Sequence, residues 1–156
     1  MTEMTTSPTR NATVTLREIT AETLRSILEL EVGPDQDELV APNAVSIAQA
    51  HFSNHAWFRA IYADETPVGF VMLSDKPEIP KYYLWRYMID ARYQKMGFGR
   101  RALELVIDYV RTRPNATEMF LSYVPKETGP KEFYQKLGFV DTGREEDGEL
   151  EMRLVL

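Results

Sequence analysis

The feature that most limits the possible folds is one continuous unit: a strand over residues 82–90, a glycine turn over residues 94–99 and a helix over residues 100–110. A further strand is predicted over residues 118–123. Two strands joined through a helix in this way pair in parallel, with a right-handed crossover. The unit therefore predicts an α/β domain whose sheet contains a parallel pair.

The glycine turn itself predicts an anion site. Gly97 and Gly99 carry no Cβ, so several backbone N–H groups can converge on one anion. The helix begins at Gly99 or Arg100 and offers its unpaired first-turn N–H groups to the same anion. No acid occurs in residues 92–103, and three bases adjoin the turn: Lys95, Arg100 and Arg101. We therefore expect the turn to bind a diphosphate.

Known phosphate motifs do not fit this turn. A P-loop would close on Gly-Lys-Ser/Thr, and a dinucleotide fingerprint needs a third glycine where position 102 is Ala. A Gly-x-Gly pair alone is also typical of ordinary turns. A second motif is therefore needed before the turn can be given a function.

Composition and charge restrict the class of protein. The chain has 156 residues with 44% apolar content, enough for one domain, which we expect over residues 13–156 after a loose tail over residues 1–12. The net charge is −6, and the acids are segregated: residues 29–38 hold five acids and no base, and residues 141–151 hold six acids against Arg144. Such a chain lacks the basic face that nucleic-acid binding requires. No apolar run is long enough for a membrane span, so we expect a cytoplasmic protein.

Metal and thiol chemistry find no support in the sequence. The chain has no cysteine, which excludes a disulfide and an acyl-thioenzyme. A helix is predicted over residues 43–54. His51 and His55, near and just beyond its end, have the i, i+4 spacing of one helical face, but no Glu follows His51 and no third ligand is evident. We predict no metal site.

The remaining elements complete the prediction. Alternation along the strand of residues 82–89 places Tyr83, Trp85, Tyr87 and Ile89 on one side. The other expected elements are a strand at 14–19, a helix at 21–30, a hairpin at 57–73, a short helix at 130–137 and strands at 139–140 and 149–156.

The second motif is Phe133-Tyr134-Gln135-Lys136-Leu137-Gly138-Phe139, about forty residues after Gln-x-x-Gly-x-Gly. The two motifs in this order resemble the Gcn5-related N-acetyltransferase (GNAT) superfamily, over about residues 13–156. Residues 85–90 and 141–144 are similar to the bacterial spermine/spermidine (diamine) acetyltransferase branch. The resemblance implies a single α/β domain: a mixed, mostly antiparallel, twisted sheet of about seven strands, with a splayed parallel central pair and about four helices.

The resemblance also implies a binding site for acetyl-CoA. The glycine turn would hold the diphosphate, and the backbone of Met88 and Ile89 would pair with the pantetheine arm as a sheet edge pairs with a peptide. The Ile89 N–H would stabilise the oxyanion. Lys136 either contacts a coenzyme phosphate or faces water. The predicted coenzyme-binding residues are Met88, Ile89, Gln94, Lys95, Met96, Gly97, Phe98, Gly99, Arg100, Tyr134 and Lys136.

Tyr134 is the predicted general acid. In relatives the tyrosine of this motif lies beside the sulfur and protonates the leaving thiolate. Relatives often carry Asn seven positions before it, where this chain has Glu127. The difference removes one expected contact with the pantetheine arm.

The acceptor is expected to be a primary amine, with polyamines such as spermidine and spermine preferred. Glu31, or else Glu29 or Asp35, would gather the cationic amine and accept its proton through water, unless these acids form a solvated loop. Trp85 would line the aliphatic chain or pack in the core. The resemblance further implies a homodimer.

Other functions stay open at this point. The chain could acetylate another amine, such as a protein N-terminus, an aminoglycoside or an amino acid. It could instead be a non-catalytic acyl-CoA sensor. A nucleotide or phosphopeptide binding module is disfavoured by the Phe133-Tyr134 motif.

Overall fold

Seven strands form one mixed sheet in the part of the chain that the structure, a computed structural model, describes: residues 7–34, 41–127 and 129–156. The strands are β1 (Val14–Arg17), β2 (Ala56–Ala63), β3 (Thr66–Lys76), β4 (Lys81–Ile89), β5 (Glu118–Tyr123), β6 (Val140–Glu146) and β7 (Glu149–Val155). Their order across the sheet is β1-β2-β3-β4-β5-β7-β6, and only β4 and β5 pair in parallel among these strands. The predicted sheet is confirmed.

Four helices of the described residues cover the two faces of the sheet. They are α1 (Leu24–Leu28), α2 (Asn43–His51), α3 (Phe98–Arg111) and α4 (Lys131–Lys136), with a 3-10 turn at Ala91–Tyr93. α3 and α4 bury one apolar cluster against the sheet, and α1 and α2 bury the other. Each of these helices is too short or too polar to cross a bilayer. The predicted α/β domain with about four helices is confirmed.

The parallel pair is short, and this creates a cleft. β4 and β5 pair only at three positions, from Tyr82↔Met119 to Leu84↔Leu121. Beyond Leu84, β4 stays with β3, while β5 stays with β7. The two strands diverge, so a V-shaped opening, here called the cleft, lies between the end of β4 and the end of β5. α3 provides the crossover that the sequence predicted.

A β-bulge at Trp85 changes which side chains of β4 lie on each face of the sheet. Leu84 and Arg86 pair with adjacent residues of β3, so Trp85 is an extra residue in β4. An extra residue interrupts the regular alternation of side chains. Trp85 packs on the α1–α2 side, whereas Tyr87 and Ile89 pack on the α3–α4 side. The predicted alternation, with Trp85 and Tyr87 on one side, is wrong for this reason.

The N-terminal segment is partly anchored. Ala12 is 4% exposed, and Arg101 donates hydrogen bonds to the carbonyls of Ala12 and Arg10 at 2.7 and 2.8 Å. The loose tail predicted over residues 1–12 is therefore wrong at residues 10–12, because a distant guanidinium satisfies their carbonyls. Residues 1–6 lie outside the described residues.

Several elements differ in length from the prediction. α1 begins at Leu24, since Thr20 and Thr23 first form a hydrogen-bonded turn. β6 extends to Glu146 rather than ending at residue 140. α2 ends at His51, and the Nδ1 atom of His55 lies 3.5 Å from Glu78 Oε1 beyond the helix. The two histidines therefore share no helical face.

Candidate active site

The glycine turn opens helix α3 with free donors. Gly97 is the N-cap with a φ of 81°, a left-handed conformation that favours glycine. Arg101 N–H donates to Gly97 O at 3.2 Å and is the first amide of α3 with a backbone acceptor. Within the described residues, the N–H groups of Phe98, Gly99 and Arg100 find no acceptor and can donate to a ligand, as is usual at a helix N-terminus. The helix dipole adds partial positive charge at the same point, so the turn can hold an anion.

The positive side chains of the turn have different tasks. Lys95 is exposed and adopts a left-handed φ of 62°. Arg100 is exposed as well and pairs with Glu104 at 3.1 Å. Arg101 binds backbone carbonyls, including Gly97 O at 3.2 Å, in addition to the N-terminal segment. Arg101 therefore clamps the turn, and Lys95 and Arg100 are the cations available to a polyanion.

Gln94 braces the end of β4. Its Nε2 donates to Ile89 O at 2.9 Å, which holds the strand end against the turn. Gln94, which was predicted to contact the coenzyme, therefore also has a structural role at the end of β4. Met96 is half-buried against the α3–α4 cluster, and Phe98 is 1% exposed. Because the side chains of Met96 and Phe98 pack inward, only the backbone of these two residues is available to a ligand.

The backbone of β4 exposes its groups to the cleft at alternate residues. Asp90 N–H donates to Val68 O on β3 at 2.8 Å. In an antiparallel ladder the hydrogen-bonded pairs alternate, so Met88 also faces β3, and its carbonyl lies against Gly69. Tyr87 and Ile89 direct their backbone groups toward the cleft instead. Of the two residues predicted to meet a pantetheine arm, only Ile89 has this orientation.

Tyr134 is enclosed beside the cleft. It is 8% exposed and lies edge-on to Phe133 and Phe139, with ring centroids 5.5 and 6.0 Å away. Phe133 in turn stacks on Tyr87 of β4, so α4 lies against a strand that borders the cleft. Burial raises the pKa of Tyr134 to about 12. The phenol therefore stays protonated at neutral pH. Lys136 is exposed, 3.6 Å from Glu132.

Gly99 fits closely against Tyr87. A Cβ at position 99 would collide with the Tyr87 hydroxyl oxygen and would lie 3.4 Å from Ile89 Cγ1. The second glycine of the motif is therefore required for helix–strand packing, whereas a Cβ at Gly97 would meet only Arg101 at 3.9 Å. The two glycines serve the turn in different ways.

Replacing Gly99 by Ala is expected to lower the free energy of unfolding by about 1–3 kcal/mol through overpacking. The effect should nearly disappear in a Tyr87→Phe background, where the colliding hydroxyl is gone and the ring carbon Cζ, 3.5 Å away, is in ordinary contact. Urea unfolding of the four proteins measures this coupling. Equal losses in both backgrounds would contradict the close packing described above.

A buried carboxylate fixes the acidic segment to the end of β4. Asp90 is 4% exposed, and its Oδ2 accepts from Glu31 N–H at 3.0 Å. Ala91 N–H donates to Glu31 O at 2.8 Å. Arg92 Nε lies 2.9 Å from Asp90 Oδ1. The exposed Glu31 side chain is thereby held next to the glycine turn; Glu29 is exposed nearby, and Asp35 lies outside the described residues.

Arg86 occupies the α1–α2 side of β4, after the bulge. Its guanidinium donates to Trp85 O at 3.0 Å and to Gln49 Oε1 of α2 at 3.2 Å. Its Nε is buried and finds no acceptor among the described residues. Burial lowers the pKa of Arg86. The charge of Glu149 and the phenol of Tyr83 act in the opposite direction and raise this pKa, but by less. A cation therefore lies beside α2 on this face of the sheet. Trp85 is half-buried in the α1–α2 cluster.

Three residues of this region were not among the predicted site residues: Tyr87, Arg86 and Asp90. Asp90 was visible only as a polar residue ending a strand, which is a weak signal for an anchoring carboxylate. Arg86 and Tyr87 took their positions from the bulge, which the sequence did not reveal. Within the described residues, no cluster of three or more His, Cys, Asp or Glu is arranged to hold a metal ion.

Comparison with known proteins agrees with this geometry. The model of the Acetyltransferase (GNAT) family matches residues 16–139. A spermine/spermidine N(1)-acetyltransferase of Bacillus subtilis (strain 168) is 24% identical over 136 residues, which cover 83% of this chain and 90% of the relative.

Two solved structures share the fold. The PaiA N-acetyltransferase of Thermoplasma acidophilum, in complex with coenzyme A, gives a TM-score of 0.71 at 16% identity, covering 92% of this chain and 99% of that one. The ribosomal-protein-S18-alanine N-acetyltransferase of Escherichia coli gives 0.69 at 16% identity, covering 92% and 94%. Because these proteins are named for different acceptors or none, the shared fold does not fix the acceptor.

Proposed function

The chain belongs to the acetyltransferase (GNAT) family, and from this premise we propose that it transfers the acetyl group of acetyl-CoA directly to a primary amine. The observation that carries the proposal is the cleft: β4 leaves β5 after Leu84 and ends at a helix N-terminus with free amides. The diphosphate of acetyl-CoA matches the helix N-terminus, and its extended pantetheine arm matches the free edge of β4.

The residues present fit coenzyme A. The amides of residues 98–100 and the side chains of Lys95 and Arg100 would hold the diphosphate. The cleft-facing backbone of Tyr87 and Ile89 would pair with the pantetheine arm. The Ile89 N–H would then donate to the carbonyl oxygen that gains negative charge on attack.

The chemistry proposed for the chain is a direct transfer. A neutral amine attacks the thioester carbon, the C–S bond breaks, and Tyr134 gives its proton to the departing sulfur. The amine loses one proton, which returns to the Tyr134 oxygen through Glu31 and water. Protons therefore balance over one turnover, and no covalent enzyme intermediate is needed.

We propose a polyamine such as spermidine or spermine as the acceptor. Support comes from the similarity to the Bacillus subtilis protein and from the position of Glu31 beside the turn. The β6–β7 hairpin adds a further set of exposed or half-exposed acids: Asp141, Glu145, Glu146, Asp147, Glu149 and Glu151. Several separated carboxylates complement an extended polycation.

Arg86 favours a second candidate acceptor, an amino acid. Its half-buried guanidinium, with an Nε that lacks an acceptor in the described structure, would pair with the carboxylate of such a substrate. The same positive charge would repel a polyamine that approached this side of β4. The two acceptor classes therefore predict opposite effects of removing Arg86.

An amine panel assayed for thiol release tests both candidates. We expect polyamines to react fastest, and Glu31→Gln to raise the KM for spermidine by about three- to fivefold, as for an exposed ion pair. Glu78→Gln, which removes an exposed acid paired with His55 far from the glycine turn, is the matched control and should leave KM unchanged. Faster reaction of amino acids, lost in Arg86→Gln, would instead establish the second candidate.

The homodimer and the cytoplasmic location expected from the sequence stay predictions. Sedimentation of the purified protein tests the first, and fractionation of the producing cells tests the second.

A further inference from the structure

The hydroxyl of Tyr87 is a buried polar group that the proposed chemistry does not yet use. Its oxygen is inaccessible to solvent and makes no hydrogen bond within the described residues. A buried hydroxyl without a partner is costly, and native structures rarely retain one without a reason. Tyr87 is the only tyrosine of the described chain with such an oxygen.

The ring of Tyr87 is held firmly in place. Its ring lies 6.1 Å from that of Phe133, with an interplanar angle of 17°. Its oxygen occupies the space that a Cβ at Gly99 would take. The hydroxyl is thus confined between β4, the first turn of α3 and helix α4, which carries Tyr134.

Tyr134, on helix α4, would act as an acid more readily if a nearby group stabilised its phenolate. With a pKa of about 12, its phenol is a weaker acid than a thiol, whose ordinary pKa is about 8.5. Transfer of its proton to the sulfur is therefore uphill unless the phenolate is stabilised as it forms. A hydrogen-bond donor near the phenol supplies such stabilisation, since bonds to a charged acceptor are the stronger ones.

Tyr87 is suited to be that donor. Burial, followed by the charge of Tyr134, raises the pKa of Tyr87 well above its ordinary value, so the hydroxyl keeps its proton. Tyr87 stacks on Phe133, whose ring lies edge-on to that of Tyr134, so the two phenols belong to one aromatic cluster, although no hydrogen bond joins them. A shift of the Tyr134 ring when the coenzyme fills the cleft would bring the two oxygens together.

We propose that Tyr87 is a positioning residue for Tyr134: its hydroxyl donates a hydrogen bond to the phenolate oxygen left when Tyr134 protonates the departing sulfur. The proton moves from the Tyr134 oxygen to sulfur, and the Tyr87 proton stays on its own oxygen. The inference rests on the proposed function, since it acts through the acid of that reaction.

Tyr87→Phe tests the proposal, because it removes one oxygen and keeps the ring stacked on Phe133. We expect kcat to fall about tenfold, as for the loss of one hydrogen bond to a charged group. The KM for acetyl-CoA should not change. Thermal unfolding should occur at the same or a higher temperature, since an unpartnered hydroxyl is removed from the interior.

A double-mutant cycle distinguishes positioning from simple packing. In a Tyr134→Phe background, Tyr87→Phe should change kcat less than twofold, because the group through which it acts is absent. A kcat within twofold of wild type for the single Tyr87→Phe variant would overturn the inference, as would equal losses in both backgrounds. Both results leave the proposed function intact, whereas a wild-type protein without thiol release would refute that function and the inference together.

Discussion

Replacing Tyr134 by Phe is expected to lower kcat by about 100-fold, the lower range for a positioned acid or base. Burial raises the pKa of Tyr134 to about 12, so the phenol carries its proton throughout the neutral range. Without it, the sulfur must leave as a free thiolate or take a proton from water. Thiol release at saturating acetyl-CoA and amine measures kcat directly.

Two controls separate loss of the acid from loss of structure. Tyr109→Phe removes a hydroxyl that donates to Asp75 at 3.0 Å, near the C-terminal end of α3, and should leave kcat unchanged. Calorimetry should give Tyr134→Phe the same affinity for coenzyme A as wild type. Turnover within twofold of wild type, with coenzyme still bound, would show that Tyr134 is not the acid.

Replacing Asp90 by Asn is expected to lower the free energy of unfolding by about 2–3 kcal/mol, as for lost hydrogen bonds to a buried charged group. The Asp90 carboxylate accepts from Arg92 N–H and Arg92 Nε, both at 2.9 Å, and from Glu31 N–H at 3.0 Å. An amide has one acceptor oxygen and cannot pair with the guanidinium as an ion. The hydrogen bond from Glu31 N–H to this carboxylate, one of the two that hold Glu31 at the strand end, should weaken, so the KM for the amine should rise as well.

The control for Asp90 is Asp64→Asn. Asp64 accepts a single exposed hydrogen bond, from Thr13 N–H at 2.9 Å, so its replacement should cost less than about 1 kcal/mol. Urea unfolding measures both variants. Equal small losses for the two variants would contradict a structural role for the buried carboxylate.

The Asp90 effect should also depend on pH. Burial acts to raise the pKa of Asp90, but hydrogen bonds from Arg92 and from Glu31 N–H outweigh it, so the pKa lies below its ordinary value. A lowered pKa contributes stability that is present above the unfolded-state pKa of about 3.9. This stability is lost as the pH falls through the folded-state pKa. The stability difference between wild type and Asp90→Asn should therefore shrink at acid pH.

Local signals predicted the framework of the site well. The glycine turn, the amphipathic α3 and the strand that follows lie within residues 94–123, and each has a pattern of its own. β5 was predicted at residues 118–123, as the structure has it. The same segments predicted that β4 and β5 pair in parallel through α3, because a strand–helix–strand connection of this kind is almost always right-handed.

Contacts between distant residues could not be predicted in this way. Asp90 and Glu31 are 59 positions apart, and Arg101 and Arg10 are 91 positions apart. Nothing in the sequence near Arg101 indicated that its guanidinium would bind backbone carbonyls rather than a phosphate. The bulge at Trp85 depends on how β3 and β4 pair, which neither strand specifies alone.

The sequence by itself determined the α/β class, the glycine turn before α3 and the position of Tyr134 in its motif, because hydrophobic period, glycine placement and spacing are properties of a short stretch of chain. Only the tertiary structure decided that Gly99 makes room for a hydroxyl, that Ile89 rather than Met88 turns its backbone to the cleft, and that the Tyr87 hydroxyl is buried in the aromatic cluster that contains Tyr134. These features follow from the register between strands and from burial. Both are set by the packing of segments far apart in the chain.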